Sequence, residues 1–130
     1  MANFKTHLVT GALAGGCILL GCNLMDQSNR IEKGQMPAYD GGEMLKQLLV
    51  GLAIGGLAGI LPDILEPADS PFHRKFWHSG LLGVALCHGM VKLGQSGLSE
   101  QTKVCLQGGT AAYLSHLLLD LSTPMGLPLV

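Results

Sequence analysis

Charge is scarce in this chain. Asp, Glu, Lys and Arg together make up 13% of its 130 residues, about half the usual share in a soluble protein. The net charge is −1, so there is no broad basic surface for nucleic acid, and no nucleic-acid partner is expected. Aromatic residues reach only 5%, which is thin for the core of a small aqueous domain. Cysteine is confined to Cys17, Cys22, Cys87 and Cys105, all in apolar runs and none in a CxxC pair. Cys17 and Cys22 do not share a helix face at about 100° per residue. A disulfide framework and a closed thiolate metal site are therefore not expected; buried free thiols are.

What the chain does have is apolar surface. Hydrophobic residues make up 48% and glycine adds 19 residues, for a mean hydropathy of +0.38. The length suits one domain, residues 1–130. Apolar segments cover approximately 6–22, 44–61, 79–93 and 104–121. Their length and Leu/Ala/Gly content predict helices, not strands. Each falls short of or barely reaches the roughly 20 residues that cross a bilayer core. Gly51, Gly55 and Gly59 line one face of the second segment, and such small-residue ridges let helix backbones approach closely in membranes. The expected fold is all-α: an antiparallel bundle of about four short, Gly-rich, membrane-embedded helices. Lys5 before an apolar run imitates a signal peptide, but no small-x-small site closes the run, and the segment is read as a retained first helix.

Three polar connections separate these segments. Residues 23–43 read as an exposed loop without chemistry. In 94–103, Ser99 followed by Thr102 can cap the fourth helix. The connection at 62–78 is different. The surrounding stretch ILPDILEPADSPFHRKFWHSG gathers carboxylates, two histidines, Arg74 and Lys75 between two apolar runs. Pro62 is expected to end the second helix and leave Asp63 in a turn.

Short connections favour up-and-down topology. In that topology the start of the first helix, the end of the second, the start of the third and the end of the fourth lie together. That end would hold His7, Asp63, Glu66, His73, His78, His116 and Asp120, including four of the five histidines. His116 and Asp120 are four residues apart, on one helix face. Ionisable side chains in apolar helices are costly and point inward to functional sites. His88 lies away from this end and reads as a hydrogen-bonded interior residue. His7, Asp63, His78, His116 and Asp120 are the expected metal ligands. Mixed imidazole and carboxylate donors suit zinc or manganese. Glu66 or His73 would serve as general base or extra ligand. Arg74 would hold an anionic group.

The segments THLVTGALAGG, LPDILEPADSPFHRKFWHSGLLG and YLSHLLLDLSTPMGLPL cover about half the chain. In this order they resemble the small bacterial membrane-bound metal-dependent hydrolases, the LexA-regulated, SOS-induced group. The resemblance implies a metal-dependent hydrolase, multi-pass in the bacterial inner membrane. By position, the family's polar motif residues fall on His7, Asp63, His73, Arg74, His78, His116 and Asp120. Many members read PD-x-D-H where this chain has PDILE, so Leu65 stands at the second Asp position and Glu66 at the His position. Leu65 cannot be a ligand.

The expected activity is hydrolysis of a phosphoester on a lipid or lipid-linked substrate at the membrane surface; self-association remains open. One alternative is a non-catalytic membrane protein whose metal clamps the helix ends. The other is a transporter or channel subunit, which would need ionisable residues spread through the membrane depth. Lys5, Arg74 and Lys75 at the site end face Arg30, Lys33, Lys46, Lys92 and Lys103 at the other, which places the site end outside the cytoplasm.

Overall fold

The computed structural model of the chain describes residues 4–35, 40–67 and 76–123. These form four helices and no strand: α1 (Phe4–Glu32), α2 (Gly41–Leu65), α3 (Gly80–Gly94) and α4 (Glu100–Leu121). Asp40 caps α2 through its Oδ1, which accepts from the Gly42 and Glu43 N–H groups at 2.9 and 3.3 Å. Ser79 caps α3 by accepting from Leu82 N–H at 3.2 Å. Ser99 caps α4 by accepting from Thr102 N–H at 3.2 Å. These short oxygens satisfy amide donors that no helical carbonyl can reach.

Two of the helices are longer than expected. α1 runs 29 residues and α2 runs 25, or about 43 and 37 Å at 1.5 Å per residue. Residues 23–32 continue α1 instead of opening a loop. Nothing in that stretch breaks a helix, and the exposed Asp26–Arg30 pair at 2.9 Å joins successive turns. The break comes at Gly34, with φ 71°. Its N–H bonds Ile31 and the next N–H, of Gln35, bonds Arg30, both at 2.9 Å. This left-handed closure needs a residue without a Cβ. Pro62 does not end α2 either; it is buried inside it. A proline loses its own donor and crowds the carbonyl four residues back; Pro62 lies in the last turn of α2, which still closes by Glu66 N–H to the Pro62 carbonyl at 2.9 Å. Asp63 is consequently helical.

Glycines join α1 to α2. Residue numbers rise along α1 as they fall along α2: Gly11 lies against Gly55 and Gly59, and Gly15 against Gly51 and Gly55. A methyl group on Gly59 would come within 2.8 Å of both the Gly11 Cα and the His7 carbonyl. The backbones touch, so no larger residue fits. α4 packs against both α1 and α2, with Leu19, Ile60, Ala112 and Leu117 buried. α3 makes backbone contact with α4 alone, and none of its residues is buried. The described helices are therefore a three-helix unit with α3 on its flank.

The polarity is inverted relative to a soluble domain. The largest fully buried side chains include His7, His78, His116 and Asp120, while Leu13, Leu49, Leu57, Val84 and Val91 are exposed. α1 and α2 are each long and apolar enough to cross a membrane, and most of each apolar stretch faces outward. Cys17 and Cys87 are exposed, and Cys22 and Cys105 half-buried; all four are free thiols. His88 is exposed as well. These cysteines and His88 thus depart from the interior placement read from the sequence. An apolar neighbourhood in the sequence does not by itself mark an interior: the apolar faces of α1 and α3 point outward.

Candidate metal centre

The glycine contact determines where His7 sits. It lies one turn before Gly11, and its carbonyl is part of the surface that Gly59 touches. α4 brings His116 and Asp120 on one face to the same level. The His116 Nδ1–H donates to the Gly59 carbonyl at 2.7 Å. A carbonyl only accepts, so Nδ1 carries a proton and Nε2 points the other way. That Nε2 is buried without a hydrogen-bond partner. Asp120 Oδ2 and Asp63 Oδ1 stand 3.5 and 3.7 Å from it, too far for hydrogen bonds.

His7 stacks on His116 with ring centroids 3.6 Å apart and an interplanar angle of 25°. Its Nε2 lies 3.6 Å from Asp120 Oδ1, and its Nδ1 is buried without a partner. His78 enters from the segment before α3. Its Nδ1 meets Glu66 Oε2 at 3.1 Å, and its Nε2 meets Asp63 Oδ1 at 3.4 Å. Asp120 Oδ2 lies 3.8 Å from the same Nε2. Burial opposes charge on this ring, but the hydrogen bonds to Asp63 and Glu66 outweigh it and raise its pKa above the usual histidine value.

Two overlapping triads can each hold a metal ion: His7, Asp63 and His116, and His78, His116 and Asp120. They share His116. Donor atoms within each triad lie within 4.8 Å of one another, close enough for one ion to draw them in. The unpartnered Nε2 of His116 faces two carboxylates, as a metal-ligating nitrogen would. A buried polar atom normally has a partner; here the partners are missing where imidazoles and carboxylates converge. The outer contacts fit as well. A ligand imidazole usually gives its second N–H to a carbonyl or carboxylate, as His116 does to Gly59 and His78 is placed to do to Glu66.

Of the residues expected at the site, the structure brings His7, Asp63, His78, His116 and Asp120 together and places Glu66 behind His78. His73 and Arg74 lie outside the described residues. Access is uneven: the His78, His116 and Asp120 side chains are no more than 2% exposed, whereas Asp63 is 30% exposed. Asp63 forms the open wall.

The sequence reading missed three supports. Tyr113 donates its hydroxyl to the Trp77 carbonyl at 2.7 Å, tying the His78 segment to α4. Ser79 is buried beside His78 and caps α3. The Gly59 carbonyl orients His116. Tyr113 was findable, since it precedes His116 by one turn on the same face of an apolar helix and its hydroxyl needs a partner there. The Gly59 carbonyl leaves no mark in a side-chain pattern.

Comparison with family models, with curated proteins and with solved structures gave no significant match.

Proposed function

We propose that the chain is a membrane-embedded, metal-dependent hydrolase of phosphoesters, acting on a lipid or lipid-linked substrate. On this reading its helices form an antiparallel bundle crossing the bacterial inner membrane more than once. The opposed running of α1 and α2, their outward apolar faces and the one-ended cluster support that arrangement. The resemblance to the LexA-regulated membrane hydrolases supports the activity. The observation that carries the proposal is the buried, unpartnered Nε2 of His116, held in its tautomer by Gly59 and facing two carboxylates.

His7, Asp63, His78, His116 and Asp120 are the proposed ligands, and zinc or manganese the metal. Such an ion, when bound, supplies Lewis-acid chemistry for water activation and phosphoryl polarisation. Glu66 orients His78 and can hold a proton leaving Nδ1. Asp63, as the exposed member, borders the space a substrate enters. Arg74 supplies the cation that an anionic substrate requires, a role resting on the sequence alone. Protein purified without chelator should contain stoichiometric metal and cleave a phosphoester in a broad panel. His116→Ala and Asp63→Ala should abolish turnover. Stoichiometric metal with no cleavage of any phosphoester would refute the hydrolase.

The near-complete burial of His7, His78, His116 and Asp120 favours a second reading, a metal clamp that only ties the helix ends. Asp63→Asn separates the two. A clamp predicts loss of melting temperature in step with loss of metal. A hydrolase predicts that turnover falls with the metal while the melting temperature holds.

A further inference from the structure

An apolar groove of about 250 Å³ lies beside this centre, and nothing in the metal chemistry uses it. Its walls are Ile54, Ala58 and Leu61 of α2 and Leu86 of α3; its floor is Leu106 and Gly109 of α4. It exists because α3 touches only α4 and leaves a gap beside α2. Gly109 keeps the floor low: a methyl there would meet only Ile54 and Ala58, at ordinary contact distances.

Two features tie the groove to the metal centre. Tyr113, one turn beyond Gly109, also lines it, and the same face of α4 continues to His116 and Asp120. The Tyr113 hydroxyl reaches the Trp77 carbonyl, next to His78. The groove thus runs along α2, a helix long and apolar enough to cross a membrane, and reaches Tyr113, one turn of α4 before His116.

We propose that this groove holds the hydrocarbon chain of the substrate while its phosphate lies at the metal centre; the site then selects long-chain phosphoesters over short water-soluble ones. This rests on the hydrolase reading for the phosphate and on the groove itself for the chain. An apolar trough at membrane depth, open on its side, suits a flexible chain better than a polar ligand, which would leave its hydrogen bonds unmade there.

Cys105, half-buried in the groove wall, is a built-in reporter, and the exposed Cys17 and Cys87 are controls. Metal-loaded full-length protein in nanodiscs is alkylated with N-ethylmaleimide, and each cysteine is followed by mass spectrometry. Dodecylphosphonate should slow Cys105 alkylation about tenfold while leaving Cys17 and Cys87 unchanged, and methylphosphonate should slow none of the three. Gly109→Leu, or Thr110→Leu if the first variant folds poorly, should remove the protection without lowering metal content. Equal effects of the two phosphonates on Cys105, or protection that survives both groove-filling variants, would overturn the proposal. Metal content and turnover of 4-nitrophenyl phosphate, measured on the same samples, report on the hydrolase reading separately. Protection of Cys105 in protein that takes up no metal would remove that reading and keep the chain site.

Discussion

His116 shows how one side chain can organise a site. Its Nδ1 is committed to Gly59 at 2.7 Å, its ring stacks on His7, and its Nε2 faces Asp63 and Asp120. Replacing it with alanine deletes the donor common to both triads, so equilibrium dialysis should show metal affinity down at least ~100-fold, beyond the 10–100-fold cost typical of losing an outer contact. Tyr113→Phe tests such an outer contact. It removes one hydrogen bond, worth about 1 kcal/mol, and should weaken metal binding by up to about fivefold with little change in helicity by circular dichroism. His78 governs the pH response. Asp63 and Glu66 favour its protonated form in the metal-free protein, and a ligand imidazole must be neutral. Metal uptake should therefore release a proton and weaken progressively as pH falls through the raised pKa of His78. Isothermal titration in buffers of different ionisation enthalpy would count that proton; an affinity flat across this range would remove His78 from the ligand set.

The helices show where reading a sequence succeeds and where it stops. Gly51, Gly55 and Gly59 were legible as a ridge because repeated spacing is a property of one segment. Their partners Gly11 and Gly15 complete the contact from α1. The convergence of His7, Asp63, His78, His116 and Asp120 was legible because chain reversals fix which helix ends meet. Helix ends were not, since residues 23–32 are polar without being helix breakers and Pro62 is tolerated in a last turn. The position of α3 was not legible either: its apolar residues lie on all sides and name no packing face. Gly59→Ala should be strongly destabilising, by about 1–3 kcal/mol for overpacking, because its new methyl meets the backbone of Gly11 and His7. It should also lower metal affinity by displacing His7. Gly21→Ala is the control, since nothing lies within 4 Å of a methyl there. It should be neutral or stabilise by up to ~1 kcal/mol. Thermal melts of the two variants would compare backbone contact with helix propensity directly.

At the scale of the whole molecule, polarity is segregated twice, from inside to outside and from one end to the other. His7, His78, His116, Asp63 and Asp120 occupy one end; the other carries pairs such as Asp26–Arg30, Glu43–Lys46 and Glu100–Lys103. The basic residues are unequal too. Arg30, Lys33, Lys46, Lys92 and Lys103 lie at the far end, and Lys and Arg in short loops are retained on the cytoplasmic side. If the chain crosses the membrane as proposed, the candidate metal centre should face away from the cytoplasm. Cysteines placed at the ends would decide it. In a background lacking the native thiols, Phe4→Cys at the site end should react with a membrane-impermeant maleimide once the outer membrane is permeabilised. Ser96→Cys, between α3 and α4, should react only after lysis. The reverse pattern would turn the site to the cytoplasm and require a substrate made or delivered on that side. Equal labelling of both positions before lysis would mean that the chain does not cross the membrane between them, and the inverted polarity would then need a partner protein, not lipid, to cover its apolar faces.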